Sequence, residues 1–250
     1  MHPLGEKVAI VTGGAGLVGT GVVEALAEAG ASVAIVDMNG GAADALATRI
    51  RDTGSLAISV HADLNEREAC AGAVDRTLDE FGGLDILVNM AQQFRGTFTP
   101  FVDTTDDDMV VSWSSGVLAT FRIMQLSHPH LVARGGGAIV NFGSGGGTAA
   151  SPGLLAYGMA KEGIRHLTKV AAKEWGPAGI RVNTICPFAH GPEKWESSHW
   201  LNDELLERIP LRRDGDPRRD IGAAVVYLAG PGDFVTGQTL FVDGGAASYR

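Results

Sequence analysis

The distribution of apolar positions divides the chain into seven short strand-like stretches separated by longer segments with helical periodicity. Short continuous apolar runs predict buried strands, and apolar positions that recur at helical spacing predict helices packed on one face. The predicted strands cover residues 7–12, 32–36, 56–60, 84–89, 138–142, 180–186 and 239–242, and the predicted helices cover 18–29, 42–52, 66–81, 105–133, 156–175 and 217–228. This alternation predicts an α/β fold with a doubly wound, parallel sheet covered by helices on both faces.

Two segments fit this pattern less well. The predicted helix over 105–133 contains Gly116 and meets Pro129 near its end, where a helix break is expected. Residues 188–209 are predicted to form a loop with some helical character, at the place where a substrate lid would lie. Because no internal repeat, low-complexity tract or proline-rich linker divides the chain, we expect one domain over residues 1–250.

Composition and charge narrow the functional classes. Glycine accounts for 35 of the 250 residues, about twice its usual share of ~7%. The glycines cluster after predicted strands, as close approach of the backbone to a ligand requires. The net charge is −9 without a basic run, which argues against nucleic acid and anionic membranes as partners.

Targeting, membrane and metal signals are not expected either. No apolar run approaches the ~20 residues of a membrane span, and residues 1–7 lack the apolar core of a signal peptide. Cys70 and Cys186 are far apart and, like the seven histidines, show no metal-ligand spacing. We therefore expect no metal site and two reduced thiols in a cytoplasmic protein.

A glycine-rich turn follows the first predicted strand and opens the first helix. Gly14, Gly16 and Gly19 satisfy the pattern G-x-G-x-x-G in the strand–turn–helix context that the pattern requires. Glycine permits the tight turn and the close approach of a pyrophosphate, which the N-terminus of the helix attracts. The turn predicts a dinucleotide site.

Two acidic residues end the second and third predicted strands. Asp37 follows Gly19 by 18 residues, where a carboxylate accepts hydrogen bonds from the ribose of NAD and repels the additional phosphate of NADP. No Arg or Lys lies close by in the sequence; the alternative role for Asp37 is a helix or turn cap. Asp63 either faces the adenine or caps the helix that begins near Asn65.

Three further residues suit proton transfer. Tyr157 and Lys161 are separated by four positions and share one face of a predicted helix. A nearby ammonium lowers the pKa of a phenol from about 10. Ser144, at the end of the fifth strand, can hold a substrate oxygen against that phenol. The alternative is a surface tyrosine followed by a lysine one turn later.

Together, the glycine turn, Ser144, Tyr157 and Lys161 resemble the short-chain dehydrogenase/reductase family over nearly the whole chain. Ser144 precedes Tyr157 by 13 residues, which is the family spacing. Residues 89–92 stand where the family has Asn-Asn-Ala-Gly, and residues 235–245 resemble its C-terminal signature. The resemblance implies a seven-stranded Rossmann sheet, hydride transfer with a nicotinamide cofactor, and a homo-oligomer, either tetramer or dimer. It also implies that Lys161 binds the nicotinamide ribose.

The expected site residues follow from the motifs and this resemblance. Ser144, Tyr157 and Lys161 are the predicted catalytic residues. The predicted NAD contacts are Gly13, Gly16, Leu17, Val18, Gly19, Asp37, Met38, Asp63, Leu64, Asn89, Ala91, Tyr157, Lys161, Pro187, Phe188 and His190. The predicted substrate contacts are Gln92, Phe94, Ser144, His190, Trp195 and Trp200.

Near the cofactor, the chain departs from the family pattern in its glycine turn and after its fourth strand. Short members have glycine where this chain has Leu17, and the turn fits the Thr-Gly-x-x-Gly-x-x-Gly form of longer relatives instead. Met90 and Gln92 replace an Asn and a Gly.

The long helix and the sixth strand carry further departures. Gly116 aligns with the family's helix asparagine, which is thought to anchor a water that relays protons to the lysine. Ser114, Ser115 or water alone are the possible substitutes. Phe188 replaces the Gly of a Pro-Gly pair, and Pro192 aligns with a Thr that contacts the nicotinamide amide.

The substrate mouth is expected where loops leave the carboxyl ends of strands four to six. These loops cover residues 92–96, 144–155 and 190–200, and the last carries Trp195, His199 and Trp200. The tryptophans indicate either an apolar lid or packing against a neighbouring subunit. Arg95 either binds a substrate carboxylate or is solvated.

These features predict an NAD-dependent oxidoreductase that interconverts a small or medium, partly apolar secondary alcohol and its ketone, with Tyr157 as acid–base. Because of the departures, a non-catalytic dinucleotide-binding protein of the same fold is the alternative. A lyase resembling the halohydrin dehalogenases is a third possibility, against which Asp37 and Lys161 argue, since those enzymes lack the dinucleotide site and carry arginine in place of the lysine.

Overall fold

Seven parallel strands form one sheet across the molecule. The structure, a computed structural model, describes residues 2–94, 98–190 and 203–247. The strands are β1 (Val8–Thr12), β2 (Ser32–Asp37), β3 (Ala57–His61), β4 (Ile86–Asn89), β5 (Gly137–Phe142), β6 (Ile180–Pro187) and β7 (Thr239–Val242). Their order is β3-β2-β1-β4-β5-β6-β7, and every neighbouring pair is parallel. The predicted α/β fold, with its seven-stranded, Rossmann-type sheet in a single domain, is confirmed.

Helices cover both faces of this sheet. They are α1 (Leu17–Glu28), α2 (Gly40–Asp52), α3 (Arg67–Phe81), α4 (Asp106–Ser112), α5 (Ala119–Ala133), α6 (Gly145–Thr148), α7 (Leu155–Trp175), α8 (Asp203–Arg208) and α9 (Ala223–Ala229). The strands and α1, α2, α3 and α7 begin and end within two residues of the predicted positions. The short helix α6, immediately after β5, was not among the predicted elements.

The sheet has a hydrophobic core on each side because its strands alternate their side chains between two faces. In β1, Ala9 and Val11 pack into one core, whereas Ile10 packs into the other. Helices α1, α2 and α9 complete the first core through Val22, Leu26, Leu46, Val225 and Leu228. Helices α3, α5 and α7 complete the second through Val74, Ile123, Met124 and Ala171.

The strand order reverses between β1 and β4. The chain builds the sheet outward from β1 to β3 and then returns to β4 on the other side of β1. The hydroxyl oxygen of Thr12 accepts hydrogen bonds from the backbone N–H groups of Met90 (3.1 Å) and Ala91 (3.3 Å). The loops after β1 and β4 are thereby held together at the point where ligands bind in open α/β sheets.

The predicted helix over 105–133 is interrupted but not broken. It starts at a capping box between Thr105 and Asp108, and it contains a π-helical turn, Trp113–Leu118, between α4 and α5. Such turns frequently mark functional sites. The expected helix break at Pro129 is wrong, because α5 continues to Ala133.

The remaining segments lie near the C-terminus. Of the predicted lid, the structure describes residues 188–190 and 203–209, which include α8. The predicted helix over 217–228 begins as a π-helical turn, Pro217–Gly222, and continues as α9. Within the described ranges, the helices fall short of the length and apolar character that crossing a membrane requires.

Candidate active site

The turn after β1 has glycine at positions where neighbouring backbone leaves no room for a side chain. Gly13 has a φ of +65°, and a Cβ at this position would lie 2.9 Å from the Cα atom of Ala91. A Cβ at Gly19 would overlap the carbonyl oxygen of Gly13 and lie 2.9 Å from the Cα atom of Gly14. The turn therefore presents bare backbone to the groove, as a pyrophosphate requires.

Helix α1 begins at this turn without a side-chain cap. Its N-cap residue, Gly16, offers no side chain, and the first turn contains no acidic residue. The first N–H groups of an α-helix have no partner within the helix, so they attract an anion. Leu17, the departure from the short-member pattern, is 44% exposed and does not fill the turn.

Asp37 connects the end of β2 to this turn. One carboxylate oxygen accepts a hydrogen bond from the N–H of Ala15 (3.0 Å), and the other accepts one from the N–H of Asn39 (2.9 Å). Asp37 thus makes the turn-capping contacts considered as its alternative role. An ionised carboxylate has about four acceptor sites, so these two bonds leave capacity for ribose hydroxyls.

A groove of about 310 Å³ follows this edge of the sheet. Most of the predicted cofactor residues line it, namely Gly13, Gly16, Leu17, Val18, Gly19, Asp37, Met38, Asp63, Leu64 and Ala91. Gln92, predicted to contact substrate, lines this groove as well. Asp63 also accepts hydrogen bonds from the backbone and side-chain nitrogens of Asn65 (3.0 and 2.9 Å), which closes a turn before α3. It does not cap that helix, whose N-cap is Glu66 without a side-chain bond.

Several groove residues escaped the sequence analysis. Val36, Ala62, Asn65 and Gln93 line the groove, although none was predicted as a cofactor contact; Gln93 lies in the 92–96 loop expected at the substrate mouth. Each adjoins a predicted residue at the carboxyl end of a strand. These residues could have been predicted from their place at or just after the carboxyl end of a strand. Their side chains belong to different chemical classes, so residue type would not have identified them.

Some predicted cofactor residues lie outside that lining. The side-chain amide of Asn89 is buried and donates to Asn141 (2.8 Å), which in turn donates to Thr168 (2.9 Å). The hydroxyl of Thr184 donates to that of Thr168 (2.9 Å). This chain of polar groups joins β4, β5, β6 and α7 below the site. The amide of Asn89 therefore supports the site from within the core.

Three other predicted cofactor residues lie at the end of β6. Pro187 is its last residue, and the N–H of Phe188 donates to the carbonyl oxygen of Val242 (3.0 Å). The imidazole Nδ1 of His190 lies 3.2 Å from a carboxylate oxygen of Asp214, and its ring packs edge-on against Phe188. These residues share the carboxyl edge of the sheet with the groove.

The structure brings the three predicted catalytic residues together. Ser144 follows β5 and accepts a hydrogen bond from the N–H of Gly146 (3.2 Å). Its hydroxyl lies close enough to Tyr157, in the first turn of α7, to lower the pKa of that phenol. The Nζ atom of Lys161 lies 5.6 Å from the centroid of the Tyr157 ring. It donates to the carbonyl oxygen of Phe142 (3.0 Å), and Lys161 is only 5% exposed.

Burial controls the protonation of this pair. Loss of solvation raises the pKa of Tyr157 above its ordinary value of 10.0, and the hydrogen bond with Ser144 opposes that rise. Burial lowers the pKa of Lys161 from 10.5 to about 8. The expected net lowering of the Tyr157 pKa is wrong for the chain alone, because desolvation of the phenolate dominates.

Tyr157 also borders a second, smaller cavity. This cavity measures about 40 Å³ and is lined by Phe94, Thr99, Thr104, Asp108, Val111, Ser112, Gly153, Leu154, Leu155, Ala156 and Tyr157. The ring centroids of Phe94 and Tyr157 are 5.0 Å apart. The predicted substrate contact Phe94 therefore lies against the predicted acid–base residue.

The remaining substrate predictions fall elsewhere. Arg95, Trp195, His199 and Trp200 lie outside the described residues. Within the described ranges, His, Cys, Asp and Glu side chains form no group of three or more that could hold a metal ion.

Comparison with known proteins identifies the family. The family described as Enoyl-(Acyl carrier protein) reductase matches residues 14–247. A 12alpha-hydroxysteroid dehydrogenase from a Clostridium species is 36% identical over 250 residues, covering 96% of each chain. The chain belongs to the short-chain dehydrogenase/reductase family of oxidoreductases, as the resemblance of its motifs predicted.

Solved structures agree in fold. NAD+-bound xylitol dehydrogenase superposes with a TM-score of 0.90 at 31% identity, covering 97% of this chain and 99% of the other. A 7 alpha-hydroxysteroid dehydrogenase complexed with NADH and 7-oxo glycochenodeoxycholic acid gives a TM-score of 0.91 at 30% identity, with coverages of 98% and 96%.

Proposed function

We propose that this protein interconverts a secondary alcohol and its ketone by hydride transfer with NAD, and that Tyr157 is the general acid–base. The placement of Tyr157 carries the proposal. The hydroxyl of Ser144 lies close enough to the phenol to lower the pKa of Tyr157, the Tyr157 ring borders the small cavity, and the buried Lys161 lies one helical turn away. A phenol in this position can exchange a proton with a substrate oxygen.

The chain's own residues divide the work of alcohol oxidation. Ser144 orients the hydroxyl of the substrate, and Tyr157 as phenolate removes its proton. When bound, NAD supplies the hydride acceptor and a positively charged ring. Because burial raises the pKa of Tyr157 in the chain alone, the phenolate depends on nearby positive charge, to which Lys161 contributes.

The groove fits a dinucleotide that lacks a 2′-phosphate. A Cβ at Gly13 or Gly19 would intrude on the turn, and the N–H groups that open α1 have no side-chain cap. The carboxylate of Asp37 lies in the lining, which includes neither Arg nor Lys among its described residues. A 2′-phosphate beside Asp37 would be repelled without compensation. We therefore propose NAD rather than NADP as the cofactor.

The cavity beside Tyr157 supports a partly apolar substrate. Phe94 and Leu155 offer apolar surface, whereas Thr99 and Thr104 offer hydroxyls. The relatives named above carry the names of hydroxysteroid and xylitol dehydrogenases, and both substrate types contain secondary alcohols. A small or medium secondary alcohol with an apolar portion is the class we propose.

We also propose that the protein self-associates in the cytoplasm. Val110, Trp113 and Phe121 expose apolar side chains along α4, the π-helical turn and α5, and Met159 does so on α7. A separate exposed apolar surface lies near β7, where Phe234 is 99% exposed. Two such surfaces suit a dimer or tetramer of this chain. Sedimentation of the purified protein would reveal monomers if the proposal is wrong.

A non-catalytic dinucleotide-binding protein remains the second candidate, because Gly116 offers no side chain at the position of the family's helix asparagine. The two candidates differ in turnover but not in binding.

One experiment separates them. NAD and NADP are titrated calorimetrically against the protein, and a panel of steroid, polyol and small aliphatic secondary alcohols is then assayed for NADH formation. We expect tighter binding of NAD than of NADP, together with turnover of at least one alcohol. Binding without turnover across the panel, and without reduction of the matching ketones by NADH, would favour the second candidate.

A further inference from the structure

Two departures from the family pattern are in contact with each other. The amide of Gln92 covers Gly116 of the π-helical turn: a Cβ at Gly116 would lie 3.0 Å from Cδ, 3.1 Å from Nε2 and 3.3 Å from Oε1 of Gln92. The side chain of Gln92 thus occupies the space that a side chain at position 116 would need. The polar group absent from the helix is supplied by the loop after β4.

This amide is buried, and no group among the described residues bonds to it. Both Nε2 and Oε1 of Gln92 are shielded from solvent, and neither has a hydrogen-bond partner among the described residues. A primary amide has two donor hydrogens and two acceptor lone pairs. Leaving such a group unsatisfied costs about 1–3 kcal/mol, so bound water is the usual partner at such sites. We therefore expect an ordered water on the Gln92 amide.

Ser115 does not compete for that role. Its hydroxyl donates to the carbonyl oxygen of Val111 (2.7 Å) and accepts from the N–H of Gln93 (3.1 Å). Its single proton is therefore committed, and the second bond fixes the backbone next to Gln92. Of the two serines considered as substitutes for the helix asparagine, Ser115 instead holds the loop that presents Gln92.

The fold places Gln92 level with the catalytic residues. Asn89 of β4 pairs with Asn141 of β5, and Gln92 and Ser144 each follow three residues later. The Nζ atom of Lys161 is bound to the carbonyl oxygen of Phe142, on the same strand end.

The π-helical turn beneath Gln92 packs directly on α7. Its Val117 forms a buried cluster with Ala160 and Ile164, which flank Lys161 on the helix. The ammonium of Lys161 has three donor hydrogens, of which the described residues accept one. The buried amide of Gln92 and the incompletely bonded ammonium of Lys161 thus come from elements that meet at one place.

We propose, on the basis of the function proposed above, that Gln92 is a positioning residue that holds the water through which Lys161 exchanges protons with solvent. In each alcohol oxidation Lys161 donates one proton to this water and regains one from the side of Tyr157. The charge on Lys161 is therefore unchanged, and one proton reaches solvent. Gln92 can hold this water from the loop after β4, because glycine at position 116 leaves room for its side chain.

The first test uses the protein without bound NAD or substrate, and it does not depend on catalytic turnover. A high-resolution crystal structure should show an ordered water that is hydrogen-bonded to the Gln92 amide and connected to Lys161 Nζ directly or through one further water. The Gln92→Leu variant should lose that water. The pKa of Lys161, followed by NMR of its labelled side chain, should fall by about half a unit or more in Gln92→Leu, because the ammonium loses an acceptor. A dry amide, or an unchanged pKa, would overturn the inference.

The second test couples positions 92 and 116. We expect Gln92→Leu to lower kcat about tenfold or more, a barrier change of about 1.4 kcal/mol. Gly116→Asn alone should also lose activity, because its side chain collides with Gln92. The double variant Gln92→Gly/Gly116→Asn should recover most of kcat. Gln238→Leu, an exposed glutamine far from the groove, is the control.

The outcomes separate the two proposals. If Gln92→Leu is folded, as its melting temperature reports, and retains the kcat and pH–rate profile of the wild type, the inference fails while the proposed function stands. If the kcat of the double variant does not exceed that of the less active single variant, an asparagine at position 116 cannot replace Gln92, and the inference is contradicted. A wild type that binds NAD but turns over no alcohol contradicts the proposed function, and the crystallographic water and the pKa of Lys161 then decide the inference by themselves.

Discussion

The nucleotide half and the catalytic half of this molecule differ in which atoms form the site. At the glycine turn, the site is made of backbone, and Gly13 and Gly19 are required because side chains would collide with neighbouring main chain. At the proposed catalytic end, the site consists of side chains: Ser144 after β5, Tyr157 and Lys161 on α7, and Gln92 in the loop after β4. A backbone site tolerates few substitutions, whereas a side-chain site can redistribute its groups, as Gln92 and Gly116 illustrate.

The largest effect should come from removing the phenol. Tyr157→Phe keeps the ring that packs against Phe94 but removes the transferable proton. We expect kcat to fall by about 10²–10⁴-fold, with unchanged NAD affinity and melting temperature. Steady-state kinetics and calorimetry measure these quantities. If Tyr157→Phe lowered both kcat and the affinity for NAD, Tyr157 would serve both halves of the site, and the distinction between the two halves would fail.

Burial of Lys161 predicts a pH-dependent stability. Because its pKa falls from 10.5 to about 8 on folding, the unfolded chain binds more protons between these pH values. The wild type should therefore gain stability as the pH rises from about 8 to 10.5, by about 3 kcal/mol at most, relative to Lys161→Met. Urea unfolding across this range measures the difference.

The comparison is made in a Cys186→Ala background. Cys186, whose pKa burial raises to about 11, acts in the opposite direction, and it interacts electrostatically with Lys161. Parallel stability curves for the wild type and Lys161→Met would show that the ammonium is not desolvated in solution.

A matched pair of glycine substitutions tests the backbone character of the nucleotide half. Gly13→Ala combines a left-handed φ with a collision against Ala91, whereas Gly54→Ala has a similar φ (+88°) with no atom within 4 Å of the new Cβ. Both should be destabilised by about 1–2 kcal/mol from strain. Only Gly13→Ala should be destabilised further and lose NAD affinity, as unfolding and calorimetric titration measure. Equal effects of Gly13→Ala and Gly54→Ala would show that the close approach of Ala91 to Gly13 affects neither stability nor NAD binding.

The smallest effect concerns cofactor choice. Asp37→Ala removes the negative charge that disfavours a 2′-phosphate, but it also removes the acceptors for the N–H groups of Ala15 and Asn39. We expect NAD to bind about tenfold more weakly, one step of 1.4 kcal/mol, and NADP to bind no worse. Titration with both cofactors reports the ratio. A wild-type preference for NADP would show that Asp37 does not select the cofactor.

A local sequence pattern predicted the structure correctly where that pattern has one structural solution. The strand–glycine turn–helix pattern and the four-residue spacing of Tyr157 and Lys161 each determine geometry within a short segment. The contact between Gln92 and Gly116 joins residues 24 positions apart in sequence, so no local pattern records it. The protonation of Tyr157 was misjudged for a related reason: the charge of Lys161 is visible in the sequence, but the desolvation that outweighs it depends on packing.

Direct observation of hydride transfer tests the central claim most sharply. The enzyme is mixed with NAD and a secondary alcohol that carries deuterium on its carbinol carbon, and the product cofactor is analysed by mass spectrometry in single-turnover experiments. We predict that the deuterium appears in the reduced cofactor and that Tyr157→Phe forms this labelled product at least about 100-fold more slowly. Absence of label from the cofactor, or an equal rate with Tyr157→Phe, would contradict the account.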